Sequence, residues 1–432
     1  MEELISSSSF WLVFLFLAAL AMRVPIAISL AVAACFVMWK WNLNLPILSY
    51  AFHGAVYKFP LLAIPFFIMA GVIMDKVGIA ERLVSLIREI VGDIPGGLAV
   101  VTVIAATLWG AVSGSGPATV AALGLVLIPG MVAAGYDKAF ATAIVCVSAG
   151  LSIIIPPSIP LIVYADIMAV SIGPLFAAGV LPGLVVALFL GITVFFMSKN
   201  SGYRGQPRSP GAMFGVFKDA IWGLFTPVII LGGIYGGIFT PTEAAVVAVF
   251  YGLFVGTFVY KVMNMRMLLS ILGDTVQTTG VLMFVTTGAG LFSWVGNAIG
   301  LIPKVAGLLI GVSPEPLIVL LMINLLLFIA GMLLDPISIM YVFLPIMFPV
   351  IRHFGWDPVW FGVVVAINMA LGQITPPVAV NLYVGCHISK LPMEALVRPV
   401  LPQLFATIGA LGIVTYFPAI ALILPRLFGM KW

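Results

Sequence analysis

The sequence predicts an all-α polytopic membrane protein made of two inverted repeats, each with a re-entrant helical hairpin and a broken helix. Of its 432 residues, 63% are hydrophobic and only 8% are charged, and the mean hydropathy is +1.25. The apolar runs are long and uninterrupted, as transmembrane helices require, whereas strands of a membrane barrel would alternate apolar and polar residues. Glycine, aspartate and proline positions also recur in the two halves at a constant offset.

The first half opens with spans and surface helices. Apolar residues predict spans at 10–22, 26–39 and 61–74. Residues 45–58 mix apolar and polar side chains, which suits a helix lying in the membrane plane. Residues 75–91 are amphipathic and charged, and they predict a second surface helix. Three spans and two surface helices therefore precede the first hairpin.

The first hairpin is predicted at residues 97–134. Its apolar run is interrupted by Ser113-Gly114-Ser115-Gly116-Pro117. Backbone that leaves the helix at membrane depth is tolerated only where it is buried in protein or lines a wet cavity. Each arm has about 16 residues, or roughly 24 Å of helix at ~1.5 Å per residue. Because this length is less than the ~30 Å hydrocarbon core, the arms are predicted to enter and return on one side.

A broken helix is predicted at residues 137–170. Its apolar sequence meets Ile155-Pro156-Pro157-Ser158, and proline ends a helix because it lacks the N–H donor and restricts the preceding residue. A last span, 173–197, completes a first repeat at residues 1–198. A basic linker rich in proline and glycine, 199–218, then leads into the second half.

The second half, 219–432, repeats this pattern. A shift of 220 residues places Pro156-Pro157 on Pro376-Pro377, and Ser115-Gly116 on Asp335-Pro336. A second hairpin is therefore predicted at 316–350 and a second broken helix at 357–390. Interrupted segments at matching positions of two halves are the best sequence indication of a transporter's binding site.

The number of crossings predicts the orientation. Each half has five crossings and one hairpin that crosses nothing, so the second half begins on the opposite side of the membrane. With the N-terminus outside, most of the 19 basic residues, including Lys199, Arg204, Arg208 and Lys218 of the linker, lie inside. This agrees with the positive-inside rule.

Four segments resemble a known family: 113–119, 135–164, Phe239-Thr240-Pro241-Thr242-Glu243-Ala244-Ala245 and Gln373-Ile374-Thr375-Pro376-Pro377. They are similar to the large membrane subunit of the tripartite ATP-independent periplasmic (TRAP) transporters, and the resemblance covers nearly the whole chain. It implies a bacterial inner-membrane elevator that moves an organic acid, of the C4-dicarboxylate or sialic acid type, with sodium as the coupling ion. It also implies two partners: a small membrane subunit on a separate chain and a periplasmic substrate-binding protein.

Under this resemblance, the tips and breaks are predicted to hold sodium and substrate. Helix breaks free backbone carbonyls for a sodium ion, and helix N-termini present N–H groups to an anion. One sodium site is predicted from Ser113, Gly114, Ser115, Ser152 and Pro156. The other is predicted from Asp335, Ser338, Asn368, Gly372, Gln373 and Thr375. The residues predicted to contact substrate between the tips are Ser115, Gly116, Pro117, Thr119, Pro157, Ser158, Pro377 and Asn381.

Some of these side chains have a structural interpretation as well. Ser148, Ser152 and Thr119 can bond the carbonyl one turn earlier and do nothing else. Asp137 and Asp357 follow glycine at the start of matching helices, so they are interpreted as N-caps. Asp335 is harder to explain structurally, because an ionisable side chain within an apolar hairpin is costly and usually functional.

Other functional classes fit the sequence less well. The Gly114-Ser115-Gly116 segment lacks the spacing of a nucleophile elbow, so an enzyme is not predicted, and no Walker sequence suggests an ATP-driven pump. The three cysteines have unrelated spacings and predict neither a disulfide framework nor a metal site, and nothing indicates nucleic-acid binding. A channel and a stand-alone sodium/carboxylate symporter of a related hairpin fold remain as alternatives.

Overall fold

The computed structural model describes residues 7–43, 46–203, 205 and 213–432, and in these ranges the chain is helical without strands. The all-α prediction is confirmed. The helices of the first half are α1 (Ser8–Ala21), α2 (Ile26–Lys40), α3 (Pro46–Val56), α4 (Ala63–Lys76), α5 (Ile79–Val91), α6 (Gly97–Ser113), α7 (Gly116–Ala133), α8 (Lys138–Ser148), α9 (Ile159–Met168) and α10 (Ile172–Asn200).

The second half begins with α11, inside the segment predicted as a linker. Its helices are α11 (Met213–Tyr235), α12 (Pro241–Phe254), α13 (Met265–Ala298), α14 (Leu301–Val312), α15 (Pro316–Leu333), α16 (Pro336–Phe354), α17 (Pro358–Gly372), α18 (Val380–Ser389), α19 (Met393–Tyr416) and α20 (Ala419–Leu427). The connection between α10 and α11 is therefore shorter than predicted, because both helices extend into it. Arg204 and Arg208 lie outside the described residues.

Long apolar helices dominate the described part of the chain. Nine of its helical segments have at least 18 residues and are apolar enough to cross a membrane. The longest, α13, has 34 residues, which corresponds to about 51 Å. The chain is thus a multi-pass membrane protein, as its composition predicts.

The surface helices differ slightly from the prediction. The predicted start of the first, Leu45, lies outside the described residues, and α3 ends at Val56, two residues before the predicted end of that segment. The segment predicted at 75–91 is divided, because its first two residues complete α4. Gly78 then turns the chain with φ of +77°, and α5 buries one apolar face that includes Leu83 and Ile87.

The hairpin arms meet where the sequence is interrupted. α6 and α7 are joined at Gly114, which has φ of +63°, and α15 and α16 are joined at Leu334. α7 begins at Gly116 and α16 at Pro336, a difference of 220 residues. The helix bounds therefore repeat at the offset that the sequence indicates, while the side from which each hairpin enters stays a prediction.

Both predicted broken helices are interrupted at their double prolines. α8 runs into a short 3-10 turn, Ala149–Ile153, and α9 resumes only after Pro157. α17 ends before Pro376-Pro377 and α18 follows. The predicted N-caps are present: Asp137 Oδ1 accepts from Phe140 N at 2.8 Å, and Asp357 Oδ1 accepts from Val359 N at 2.8 Å.

The helices pack as two groups. The frame helices are α1–α4 and α11–α13, in which α4 packs against α12 and α13, and α13 packs against α2 and α3. The hairpin helices are α6–α10 and α15–α20, in which α7 packs against α8 and α18, α15 against α17, and α10 against α19. α5 and α14 each contact both groups. The contacts between the two groups include those of α4 with α6 and α9, of α13 with α16, and of α10 with α11.

Candidate functional site

The first hairpin tip lies on the break of the first broken helix. The carbonyl oxygen of Gly114 accepts a hydrogen bond from Ile159 N at 3.3 Å. A Cβ atom on Gly114 would lie 2.7 Å from the carbonyl oxygen of Pro157, so a side chain does not fit there. Ser115 is the N-cap of α7, and Ser113 Oγ donates to its carbonyl oxygen at 3.4 Å. The structure therefore brings together the tip and the break that the sequence pairs.

The same tip also reaches the second broken helix. A Cβ atom on Gly116 would contact Gln373 Oε1, and it would lie 2.8 Å from Asn381 Oδ1. Asn381 N donates to the carbonyl oxygen of Gln373 at 3.0 Å, and Asn381 Nδ2 donates to the carbonyl oxygen of Cys146 at 3.2 Å. Asn381 thus ties α18 to α8 directly behind the first tip.

The second tip is organised by Asp335. Its Oδ1 accepts hydrogen bonds from Ile337 N at 3.0 Å and Ser338 N at 3.1 Å, so it is the N-cap of α16. Its Oδ2 accepts from Ser338 Oγ at 2.5 Å. These bonds give the carboxylate a structural role at a position where the sequence predicts a sodium ligand. The two roles are compatible, because each carboxylate oxygen can accept more than one bond.

The second tip contacts its own helix break as the first tip does. Val378 N donates to the carbonyl oxygen of Met332 at 3.1 Å. A Cβ atom on Gly331 would lie 2.9 Å from the Cα of Gly372, so the two backbones approach closely. Each hairpin is therefore bonded to the break of the broken helix in its own half.

Five side chains around the tips and breaks have a buried oxygen without a hydrogen-bond partner among the described residues. They are Thr119 Oγ1, Ser148 Oγ, Asn368 Oδ1, Gln373 Oε1 and Asn381 Oδ1. A buried polar atom without a partner costs about 1–3 kcal/mol. A cation or an ordered water at these oxygens would remove that cost.

Other predicted hydroxyls bond the backbone. Ser152 Oγ donates to the carbonyl oxygen of Ala149 at 2.6 Å, and Thr375 Oγ1 donates to that of Leu371 at 2.8 Å. Ser158 Oγ donates to the carbonyl oxygen of Ile153 at 2.7 Å. These bonds use the hydroxyl hydrogen and leave the oxygen able to ligate a cation.

A cavity of about 780 Å³ lies between the frame helices and both tips. From the tips its wall includes Ser113, Ser115, Pro117 and Asp335, and from α4 it includes Asp75. No basic residue lines it in the part of the chain that the structure describes. Its volume falls within the range of small-molecule sites, about 300–1,000 Å³.

The other residues predicted to contact substrate lie away from this wall. Thr119, Ser158 and Asn381 are fully buried behind the tips, and Pro157 is also buried, whereas Pro377 is exposed. Gly116 packs against the side chains of the second helix break. In this conformation, Ser115 and Pro117 are the members of the predicted substrate set that face the cavity.

A different cavity, of about 590 Å³, lies between α1, α13, α15 and α16. Leu17, Phe292, Leu325 and similar side chains give it an apolar wall, and its only hydroxyl is that of Ser293. No carboxylate lines it among the described residues, whereas the cavity at the tips has Asp335 and the serines Ser113 and Ser115 as oxygen ligands for a cation, so the cavity at the tips is the better candidate site.

Sequence reasoning missed Asn324 on the outer arm of the second hairpin. Asn368 Nδ2 donates to Asn324 Oδ1 at 2.7 Å, and Asn324 Nδ2 donates to Thr415 Oγ1 at 3.3 Å. This buried chain of bonds links α15, α17 and α19. The available signal was one asparagine within the apolar run 316–333, because polar side chains in membrane helices commonly bond across helices.

A polytopic helical protein with two hairpin tips and two broken helices around a central cavity has the architecture of a membrane transporter. The chain belongs to the family described as the tripartite ATP-independent periplasmic transporter, DctM component, whose model matches residues 13–420. The resemblance seen in the sequence is confirmed, and so is the expectation that the protein is a transporter component and not an enzyme.

Relatives with different named substrates are similar to this chain. It is 42% identical to the C4-dicarboxylate TRAP transporter large permease protein DctM of Pseudomonas aeruginosa, over 86% of this chain and 88% of that protein. It is 38% identical to the sialic acid TRAP transporter large permease protein SiaM of Vibrio cholerae, over 87% and 88%. It is 39% identical to the isethionate TRAP transporter permease protein DctMQ of Oleidesulfovibrio alaskensis, over 85% of this chain but 58% of that longer protein.

A solved structure of low sequence identity is similar in fold to this chain. The YdaH transporter of Alcanivorax borkumensis, whose crystal structure has been described as revealing an unusual topology, matches with a TM-score of 0.63. The match covers 88% of this chain and 89% of the YdaH chain at 15% identity. At that identity the similarity concerns the fold alone.

Proposed function

We propose that this chain is the large membrane subunit of a sodium-coupled transporter for an organic acid of the C4-dicarboxylate or sialic acid type. The names of its relatives support this range of substrates, and the resemblance supports the bacterial inner membrane as its location. The partners are a small membrane subunit and a periplasmic binding protein that delivers the substrate. The N-terminus is predicted to be periplasmic.

The observation that carries the proposal is the charge of the cavity at the tips. Among the described residues, its wall holds Asp75 and Asp335 but no basic side chain, although the proposed substrate is an anion. A carboxylate entering such a cavity needs positive charge from elsewhere, since an unpaired buried charge is very costly. Bound sodium supplies that charge, and this gives a physical reason for coupling the anion to the cation.

The backbone at the first tip supplies the remaining attraction for an anion. α7 begins at Gly116, next to the cavity-lining Ser115 and Pro117. The first N–H groups of a helix have no partner within it, and the helix dipole makes this end positive. We therefore place the substrate carboxylate near the start of α7.

The sodium sites are proposed on the oxygens of the tips and breaks. The first uses Ser113, Gly114, Ser115, Ser152 and Pro156. The second uses Asp335, Ser338, Asn368, Gly372, Gln373 and Thr375, and the unpartnered Asn368 Oδ1 and Gln373 Oε1 are the atoms that support it most directly. Sodium favours such carbonyl, amide and carboxylate oxygens, as other hard cations do.

For the transport cycle we propose an elevator in which the hairpin helices slide against the frame helices. The division of the chain into two packing groups supports it, because the helices pack mainly within their own group and the cavity lies between the groups. Two repeats of opposite orientation would let the same site face each side in turn.

The test is uptake into proteoliposomes that contain this chain and its small subunit. Radiolabelled succinate and sialic acid are compared, each with an inward sodium gradient, with potassium in place of sodium, and without the binding protein. We expect uptake of one substrate that requires both sodium and the binding protein. Uptake that requires sodium but not the binding protein would favour the stand-alone symporter, and uptake indifferent to sodium would refute the sodium sites.

A further inference from the structure

An ion pair joins the two helix groups at a place where no functional residue was predicted. Lys58 Nζ lies 2.8 Å from Asp166 Oδ2. Lys58 belongs to the frame side, because it follows α3 and immediately precedes the 3-10 turn Phe59–Leu62 that leads into α4. Asp166 is on α9, the second limb of the first broken helix, and its side chain is only 5% exposed.

This pair differs from the other ion pair that the structure describes. Lys76 Nζ lies 2.8 Å from Asp274 Oδ2, but those residues are on α4 and α13, which are both frame helices. Sliding of the hairpin helices would leave the pair of Lys76 and Asp274 intact. It would separate Lys58 from Asp166.

The ion pair and the cavity residue Asp75 lie at opposite ends of one helical segment. The continuous helical segment Phe59–Lys76 has Lys58 just before one end and Asp75, which lines the cavity and is exposed, at the other. Its 18 residues correspond to about 27 Å. The pair therefore joins the two groups at the end of this segment opposite to Asp75, which lines the cavity.

We propose that Lys58 and Asp166 are gating residues that hold this end closed, and that their ion pair must break in each transport cycle. The proposal rests on the elevator in the proposed function. Removing one partner from a buried pair leaves an uncompensated charge, so the pair stabilises the present arrangement against sliding. Lys58 is partly exposed and can be rehydrated, whereas Asp166 must move with α9 to reach water or another partner.

A reversible cross-link tests the proposal. Lys58→Cys and Asp166→Cys are introduced together into a chain with Cys35, Cys146 and Cys386 replaced, and the two thiols are joined with a short bifunctional reagent that a reductant cleaves. We expect the cross-link to abolish uptake and cleavage to restore it. The matched control is Lys76→Cys with Asp274→Cys, joined by the same reagent within the frame helices, which should leave uptake in place.

A charge exchange tests whether Lys58 and Asp166 act through their ion pair. Lys58→Asp and Asp166→Lys alone each place two like charges together, and each should reduce uptake. The two changes combined restore an ion pair and should recover uptake towards that of the parent chain. Recovery in the exchanged protein would not follow if either residue acted through a specific contact of its own.

The two proposals fail in different ways. A parent chain without sodium-driven uptake would refute the proposed function. A parent chain that transports normally, and continues to do so when Lys58→Cys and Asp166→Cys are cross-linked, would overturn the gating role alone. Inhibition by both cross-links would also overturn it, because the effect would then not depend on joining the two groups.

Discussion

Gly116 lies where the first hairpin tip contacts the second helix break, and a Cβ atom there would require the amide groups of two buried side chains to move. In Gly116→Ala the new Cβ atom would meet the amide oxygens of Gln373 and Asn381. Overpacking of this kind typically costs about 1–3 kcal/mol. We expect a lower unfolding temperature in detergent and reduced sodium-driven uptake, both measured on protein inserted at the parent level.

The control for this substitution lies in the same helix. Gly130 is also on α7, and a Cβ atom there would have no neighbour within 4 Å. Gly130→Ala should therefore leave both measurements unchanged, since alanine is favourable within a helix. An equal effect at the two positions would contradict the prediction, because the effect would then not depend on the contact between the first tip and the second helix break.

Asp335 has two proposed roles that asparagine can separate. Asp335→Asn keeps an N-cap oxygen for Ile337 N and Ser338 N but removes the negative charge. If the carboxylate ligates sodium, the sodium concentration for half-maximal uptake should rise by about tenfold, roughly 1.4 kcal/mol. Asp357→Asn is the control, because Asp357 caps α17 with the same geometry at a point where no sodium site is proposed.

An unchanged sodium dependence in Asp335→Asn would mean that the residue is only a cap. In that case Asp335→Ala should still lower the unfolding free energy by about 1 kcal/mol, the usual cost of losing an N-cap. The pair of substitutions therefore gives a different result for each role.

At the residue scale, sequence reasoning was most successful where the chemistry is local. Asp137 and Asp357 could be predicted as N-caps because a cap depends only on the next three residues. The ion pair of Lys58 and Asp166 could not be predicted, since its partners are 108 positions apart and meet only because of how the helices pack. Asp335 shows both cases. Its N-cap bonds are to the next residues along the chain, whereas its position in the cavity wall depends on how distant helices pack.

At the scale of elements, the close approach of α15 and α17 depends on two facing glycines. A Cβ atom on Gly331 would lie 2.9 Å from Gly372 Cα, which is backbone and has little room to move. Gly331→Ala should push the two helices apart and lower the unfolding temperature, with a cost of about 1–3 kcal/mol. Gly311→Ala on α14, with no neighbour within 4 Å, is the control, and equal stability of the two variants would contradict the prediction.

The positions of the hairpins and breaks were predictable because proline and glycine interrupt helices for local reasons. Both breaks fall at the double prolines, and α7 and α16 begin 220 residues apart. The surface segment at 75–91 was placed as one helix, although Gly78 divides it. The sequence alone indicates charge and amphipathicity there, and it does not distinguish a left-handed glycine turn from a glycine within the helix.

At the scale of the whole molecule, the division into frame and hairpin helices could not be predicted from composition or periodicity. Most of the helices are apolar, so apolarity does not indicate which of them pack together. The resemblance implied an elevator. The packing of the helices indicates where its boundary would lie, between the frame helices and the hairpin helices. Wherever two elements contact each other across this boundary, a bulky side chain should oppose sliding without entering the cavity.

Gly173, at the start of α10, offers such a position. A Cβ atom there would lie 3.6 Å from Ile234 Cγ2 on α11, so α10 of the hairpin helices touches a frame helix at this point. Alanine fits at that distance, and Gly173→Ala should transport normally. Gly173→Phe should hold the two helices together and stop sodium-driven uptake, while membrane insertion and binding-protein docking are retained.

Gly191→Phe is the control; it is on the same helix but has no neighbour within 4 Å, and it should remain active. Uptake by Gly173→Phe at the parent rate would show that α10 and α11 do not move against each other, and the boundary between the two groups would have to be drawn elsewhere.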